Sequence, residues 1–346
     1  MKVLSLFDGI SCGMVALERA GIPVEAYDAF EIDKYAVKVS EKNYPQIRHH
    51  GNVFDGDFGK FKGYDLLLGG SPCTYWSIAK RGRETTSEGM GFKLFMEYVR
   101  ALQESECRYF LYENTHSIHQ NIKDEISKHL GVEPIVINSA LVSGQHHKRC
   151  YWTNIPHVTQ PEDKGIMLAD VLENAVPWQD KSYCMTSSYN GAVLYNTLER
   201  KQRTMVAVPV ETVNGKSHTI PATHYKAGTN LFPVYKAEKS RQKITVPIRI
   251  GQIGKGGQAQ RIYSVRGKLV TLSANGGGQG AKTGLYKIDL PDGDYVIRKL
   301  TPIEAERLQT LPDNYTAGIS NTQRYKCIGN GWTVDVIAHI LGGLIK

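Results

Sequence analysis

Two residues of this chain have the surroundings of reacting groups. Cys73 follows Ser71-Pro72, a turn stiffened by proline, and leads into the polar stretch Thr74-Tyr75-Trp76-Ser77, with Lys80-Arg81 just beyond. A loop thiol near cations has a lowered pKa and acts as a nucleophile, whereas a structural cysteine is buried among apolar groups; the residue types admit both. Glu113 stands at the end of a strand-like run, Arg108 to Tyr112. A carboxyl group there is either solvated or partly desolvated, and desolvation raises its pKa enough to donate a proton near neutral pH. Two further segments suit ligand binding. Phe7-Asp8-Gly9-Ile10-Ser11-Cys12-Gly13 is a Gly-bracketed turn opening a helix, where backbone amides approach the polar tail of a small ligand. It is not the GxGxxG fingerprint, and a plain strand-to-helix turn reads the same way. Glu31 follows about 20 residues on, where an acid binds ribose hydroxyls in nucleoside sites. Turn and acid together point to an adenosine-containing cofactor without saying which.

These residues need a scaffold that brings them to one edge, and residues 1–155 supply one. Val3 to Phe7, Ala26 to Glu31, Asp65 to Leu68 and Arg108 to Tyr112 read as strands, while Cys12 to Ala20, Lys34 to Tyr44 and Phe92 to Glu104 carry apolar residues at helical spacing. Such alternation predicts an α/β fold: a mostly parallel, doubly wound sheet with helices on both faces. Ligands of such sheets bind outside the carboxyl ends of the strands, which is where all four segments fall. From about Pro156 the texture changes to short β-like pieces, Lys243 to Ile250, Gln260 to Val265 and Lys268 to Ser273, between Gly-rich turns. Helical periodicity returns after Arg298: Thr301-Pro302-Ile303-Glu304 has the form of a capped helix start, and Thr333 to Leu344 is a closing amphipathic run.

The charge is unevenly placed. Between Leu198 and Ile288 stand sixteen Lys and Arg against three acids, a surplus of +13 in a chain of net charge +8, so the remainder carries −5. That is the electrostatic footprint of a polyanion-binding module, although a solvated Lys-rich surface has the same composition. Six cysteines are scattered with no CxxC pair, so the pattern predicts no metal site and no disulfide framework, and reduced thiols in a cytoplasmic protein. No run approaches the roughly 18 apolar residues of a membrane-spanning helix.

Six blocks stand in the order found in the C5-cytosine DNA methyltransferases: Phe7 to Gly13, Gly70-Ser-Pro-Cys73, Glu113-Asn114, Gln145-x-x-x-Arg149, Arg298-x-Leu-Thr-Pro-x-Glu304-x-x-Arg307-Leu-Gln-x-Leu-Pro312 and Gly329-Asn330. The chain resembles that family over residues 1–155 and 297–346. Trp332 and the His146 to Lys148 stretch look more like the de novo animal enzymes and their phage and bacterial relatives. The resemblance implies a Rossmann-like domain that binds S-adenosylmethionine, with a smaller recognition lobe at 156–296 that binds double-stranded DNA. It implies Phe7, Asp8, Gly9, Ser11, Cys12 and Gly13 at the cofactor's tail, Glu31 and Ile32 at its ribose, and Asn52 and Val53 at its adenine. Pro72, Asn330 and Trp332 complete the cofactor set, with Asn330 also bracing the recognition lobe. Cys73 would add to C6 of a flipped cytosine, Glu113 would act at N3, and Arg149 would contact O2. Lys80 to Gly91 would be a mobile loop over the DNA, and a restriction-modification role would add a cognate nuclease as partner.

Four positions depart from the family pattern: Asn52 for an Asp, Thr74 for Gln or Asn, Thr115 for Val, and His147 for the first of two arginines. None removes a group the reaction needs, since the Asn52 carbonyl can still accept from adenine. A methyltransferase acting on tRNA is disfavoured by the missing Cys-Phe-Thr segment of that branch. A catalytically inert DNA-binding relative is disfavoured by the presence of Cys73, Glu113 and the Phe7 turn, and a nicotinamide dehydrogenase by the missing GxGxxG.

Overall fold

A computed structural model describes residues 1–77, 82–198, 200–209 and 293–345, together with six short strands between 212 and 287. By internal contacts the chain divides into two compact units, Met1–Val171 with Lys181–Gly191 and Thr301–Lys346, and Leu172–Asp180 with Ala192–Leu300.

The first unit is built on seven strands: β1 (Lys2–Leu6), β2 (Ala26–Phe30), β3 (Arg48–His49), β4 (Leu66–Gly69), β5 (Tyr109–Thr115), β6 (Ile135–Asn138) and β7 (Lys148–Thr153), in the order β3-β2-β1-β4-β5-β7-β6. β3, β2, β1, β4 and β5 pair in parallel; β7 runs against both β5 and β6. Period-two side chains explain why these strands read as apolar runs: both faces of the sheet are covered. Val3, Leu66 and Leu68 join the core under α1 (Cys12–Arg19), and Leu4, Leu6 and Leu67 join the core under α3 (Met90–Ser105) and α4 (Gln120–Leu130). Between β2 and β3, α2 (Lys34–Asn43) starts at Asp33, whose side chain accepts from the Tyr35 amide. A short α5 (Leu168–Val171) ends the first stretch of this unit.

The second unit holds α6 (Leu194–Leu198) and short strands: β8 (Met205–Pro209), β9 (Thr212–Val213), β10 (Lys216–Ser217), β11 (Asn230–Val234), β12 (Arg249–Gln252), β13 (Arg261–Ser264), β14 (Leu285–Lys287) and β15 (Gly293–Lys299). They form small sheets, β11-β15-β8, β12-β13-β14 and β9-β10. The strand expected at Lys268 to Ser273 lies outside the described residues.

The chain then returns to the first unit as α7 (Pro302–Leu308), α8 (Asn321–Asn330) and α9 (Val334–Leu341). The helix start at Thr301 is a reciprocal capping box: Thr301 Oγ1 accepts from the Glu304 amide at 3.1 Å and Glu304 Oε2 accepts from the Thr301 amide at 2.7 Å. The two units do not meet at 155/156 and 296/297, where composition shifts. Residues 156–171 and 181–191 pack with the first unit through bonds such as Lys164 Nζ to Asp335 (2.7 Å) and the Met185 amide to Gln145 Oε1 (3.0 Å). Apolar side chains anchor them as well: Leu168, Val171, Met185 and Tyr189 are buried.

Candidate active site

The loop after β4 carries Cys73 on a single 3-10 turn, Cys73–Tyr75. Its carbonyl accepts from the Trp76 and Ser77 amides (3.0 and 2.9 Å), and the fully buried Trp76 anchors the turn. The loop is tied sideways to β5: Ser71 Oγ and the Tyr112 hydroxyl lie 2.6 Å apart, and Asn114 Nδ2 donates to the Ser71 carbonyl at 2.9 Å. Cys73 is half-buried, and burial pushes its thiol pKa up, with Arg149 opposing and Glu113 reinforcing the shift. The lowered pKa expected from nearby cations is therefore not found in the ligand-free protein. Desolvation outweighs the guanidinium, and Lys80 and Arg81 lie outside the described residues.

Glu113 sits inside β5, not at its end. Its Cα partner on β7 is Tyr151, and two residues further Thr115 pairs with Arg149. The antiparallel neighbour extends β5 past the point where the apolar run stops, and gives Glu113 its counter-ion: Arg149 Nε lies 2.8 Å from Oε1. Trp332 Nε1 donates to Oε2 at 2.9 Å. Burial raises the Glu113 pKa despite these two partners, in the direction expected of a proton donor. The half-buried Arg149 remains a cation, with the Cys184 thiol, Glu113 and Cys73 around it. Cys184 lies 111 positions from Cys73, and nothing in its local sequence marks it as part of this cluster.

Gly70 makes the close approach of these groups feasible. A Cβ there would lie 3.0 Å from the Glu113 carbonyl oxygen, 3.1 Å from Glu113 Oε2 and 3.4 Å from Trp332 Nε1. Trp332 is set by a network spread over three elements. Gln309 Nε2 donates to the carbonyls of Ile328 and Gly331 (3.0 and 3.1 Å), Thr333 Oγ1 donates to Gln309 Oε1 at 2.7 Å, and Gln145 Nε2 donates to Gln309 Oε1 at 3.0 Å.

The turn after β1 occupies the other end of the same cavity. Phe7, Gly9 and Ser11 take left-handed backbone conformations (φ 57°, 61° and 58°), which gives this turn its tight winding. Asp8 faces inward: its carboxyl accepts from Ser5 Oγ (2.6 Å), Ser11 Oγ (2.5 Å) and the Tyr27 hydroxyl (2.7 Å), and burial raises its pKa. Its carboxyl thus holds the turn together. Glu31 fixes the turn from β2, accepting from the amides of Gly9 (2.8 Å), Ile32 (2.8 Å) and Asp33 (2.7 Å). A carboxylate offers about four acceptor positions, so one remains for a ligand hydroxyl.

Cys73, Glu113, Arg149 and Trp332 line one cavity of about 490 Å³ with the Phe7–Ile10 turn, Glu31, Ile32, Asn52, Val53, Pro72 and Asn330. Cys12 also reaches it. Ser11 and Gly13, expected at the cofactor, do not line the cavity. Ser11 is fully buried against Asp8 and Ser40, and Gly13 lets α1 approach the sheet, since a Cβ would lie 2.7 Å from Leu68 Cδ1. The Asn52 side-chain carbonyl caps the Phe54 amide at 3.2 Å, which leaves its second lone pair for adenine. Phe54 was not marked by the motifs, yet it lines the cavity and is 47% exposed; Ile32 beside it is 76% exposed. The volume is that of a small-molecule site.

The family model of the C-5 cytosine-specific DNA methylases matches residues 1–133 and 136–346. The chain belongs to this family. The match includes the middle block, where the motifs offered no recognisable pattern. The methylase is 26% identical over 350 residues to the type II methyltransferase M.HhaI of Haemophilus parahaemolyticus, across 98% of this chain and 93% of that protein. It is 24% identical over 435 residues to the orphan methyltransferase M.SPRI of Bacillus phage SPR, across 100% of this chain and 97% of the relative. These identities do not separate the restriction-system branch from the phage branch. The fold is that of the methyltransferase EhMeth of Entamoeba histolytica, with a TM-score of 0.62 at 15% identity over 100% of this chain and 98% of the other.

S-adenosylmethionine, the cofactor of this methylase family, fits what the cavity offers. One end presents a partly free carboxylate and two exposed apolar side chains, suited to a ribose and an adenine. The other opens on the thiol. Among the described residues no group of His, Cys, Asp and Glu could hold a metal ion, and no helix is long and apolar enough to cross a membrane.

Proposed function

We propose that this methylase transfers a methyl group to C5 of a cytosine rotated out of duplex DNA into the 490 Å³ cavity, with Cys73 as nucleophile, Glu113 as acid and Arg149 as the fixed cation. A stacked base hides its C5 and C6 from any side chain, so extrusion is a requirement of the chemistry. The observation that carries the reading is the Glu113 carboxyl, buried and held between Arg149 and Trp332 in the cavity that Cys73 also lines.

The Cys73 thiol gives its proton to solvent and the thiolate sulfur bonds to C6, which shifts the C5–C6 π pair onto C5 and makes it electron-rich. Glu113, its pKa raised by burial, hydrogen-bonds or protonates N3 and stabilises the charge developing on the ring. Arg149 contacts O2 while holding the carboxyl in place. When bound, S-adenosylmethionine supplies an electrophilic methyl group on a sulfonium centre; the residues that would hold it are the Phe7–Ile10 backbone, Glu31, Ile32 and Phe54. Water then takes the C5 proton as the C6–S bond breaks; the expelled thiolate regains a proton from solvent, and N3 gives up any proton it took to Glu113. The basic block between Leu198 and Ile288 suits phosphate contacts, which supports the second unit, Leu172–Asp180 with Ala192–Leu300, as the target-recognition region. This chemistry belongs in the cytoplasm, either alongside a cognate nuclease or alone.

Cys73→Ser tests the covalent step. The variant is expected to lose methylation by at least about a thousandfold, as removal of a catalytic nucleophile does, while binding the cofactor within twofold of the parent. A duplex carrying 5-fluorocytosine should form a gel-stable adduct with the parent and none with the variant. Turnover retained in Cys73→Ser would discard the covalent mechanism.

A further inference from the structure

His147 is 3% exposed, and neither of its ring nitrogens has a hydrogen-bond partner among the described residues. Buried donors and acceptors are almost always hydrogen-bonded, so an imidazole with two unsatisfied atoms calls for an explanation. The backbone cannot relieve it. The His147 amide donates to Asn138 Oδ1 at 3.0 Å, and its carbonyl accepts from the Ser139 amide and hydroxyl at 3.1 and 3.2 Å, which holds the residue at the mouth of β7. Period-two geometry puts His147, Arg149 and Tyr151 on one face, and all three line the cavity.

Its place in the sheet selects the ligand. His147 lies two residues, roughly 7 Å, from Arg149 along β7. The cofactor carboxylate Glu31 follows β2, four strand spacings away in the order β2-β1-β4-β5-β7, or roughly 19 Å. The imidazole therefore belongs to the end of the cavity that holds Cys73, Glu113 and Arg149. Burial and the neighbouring Arg149 charge hold its pKa well below the usual histidine value, so it is a neutral ring offering one donor and one acceptor, not a second cation.

We propose that His147 is a substrate-contacting residue, whose imidazole hydrogen-bonds the extruded cytidine and stays unsatisfied until that nucleotide enters. This rests on the functional reading above and adds a residue to it.

The test separates a contact from a structural role, because the two predict opposite effects on stability. His147→Leu removes two unsatisfied polar atoms at similar volume. The ligand-free variant is expected to melt at the parent's temperature or above it, while kcat/KM for unmethylated genomic DNA from a methylation-deficient strain falls about tenfold, the worth of one good hydrogen bond. KM for S-adenosylmethionine should stay within twofold. His147→Gln, which restores a donor and an acceptor, should recover most of the loss. A Leu variant with kcat/KM for DNA within twofold of the parent overturns the proposal. So does one that loses melting temperature and cofactor affinity together, which would mark a packing residue. A parent protein that methylates no cytosine would strike the functional reading itself, and the two failures are distinct.

Discussion

At the scale of single residues, the site is an arrangement of groups shifted by burial in opposition to their ion pairs. Both Cys73 and Glu113 are pushed up. For a carboxyl group this extends the proton-bearing state to higher pH, which an acid at N3 requires; for a thiol it delays formation of the nucleophile. Arg149 limits both shifts, and its removal acts most plainly on the sulfur. Iodoacetamide labelling of the Cys73 peptide, followed by mass spectrometry against pH, should show a midpoint above the usual thiol range. In Arg149→Met that midpoint moves further up, since the charge that favours the thiolate is gone. A midpoint that falls in the variant would contradict this electrostatic account. Cys73 was legible as a reactive residue because proline, glycine and polar neighbours surround it; the direction of its pKa was not, because desolvation comes from residues distant in the chain.

At the scale of elements, two turns and one reversed strand do the positioning. Gly70 is the narrowest point: a methyl group there presses on the Glu113 backbone oxygen, its carboxyl group and the Trp332 indole. Gly70→Ala should lower kcat more than tenfold, as misplacement of catalytic groups by about 1 Å does, with a smaller effect on melting temperature; unchanged kcat would show that the loop yields. Thr301→Ala removes one half of the capping box and is expected to cost about 1 kcal/mol of stability with kcat unaltered, read by denaturant unfolding. The helices α1, α2 and α3 were legible because their apolar spacing is local, and α7 because its capping box is. The extent of β5 was not. Its last residues, Glu113 to Thr115, are polar, and they become strand only because β7 pairs with them.

At the scale of the molecule, charge is partitioned between the basic stretch in residues 198–288 and an acidic remainder. If that stretch contacts phosphates, kcat/KM for DNA should fall steeply with salt: about 10³-fold between 50 and 200 mM for six or so neutralised phosphates. KM for the cofactor should change little over the same range. Equal salt sensitivity of the two constants would argue against a role for the basic block in DNA contact.

What the sequence determined by itself was everything encoded locally or as ordered spacing: the alternation of strand and helix, the capped return at Thr301, the Gly-bracketed turn, and the identities of Cys73, Glu113 and Arg149. The tertiary structure decided which of these meet. It turned the Asp8 carboxyl inward, withdrew Ser11 and Gly13 behind the turn, engaged the Asn52 carbonyl in a cap, and brought Cys184 and His147 to the reacting end. The reason is that a hydrogen-bond partner or a degree of burial depends on chain segments more than 200 residues apart, as Glu113 and Trp332 are 219 apart, and no local pattern records such a pairing.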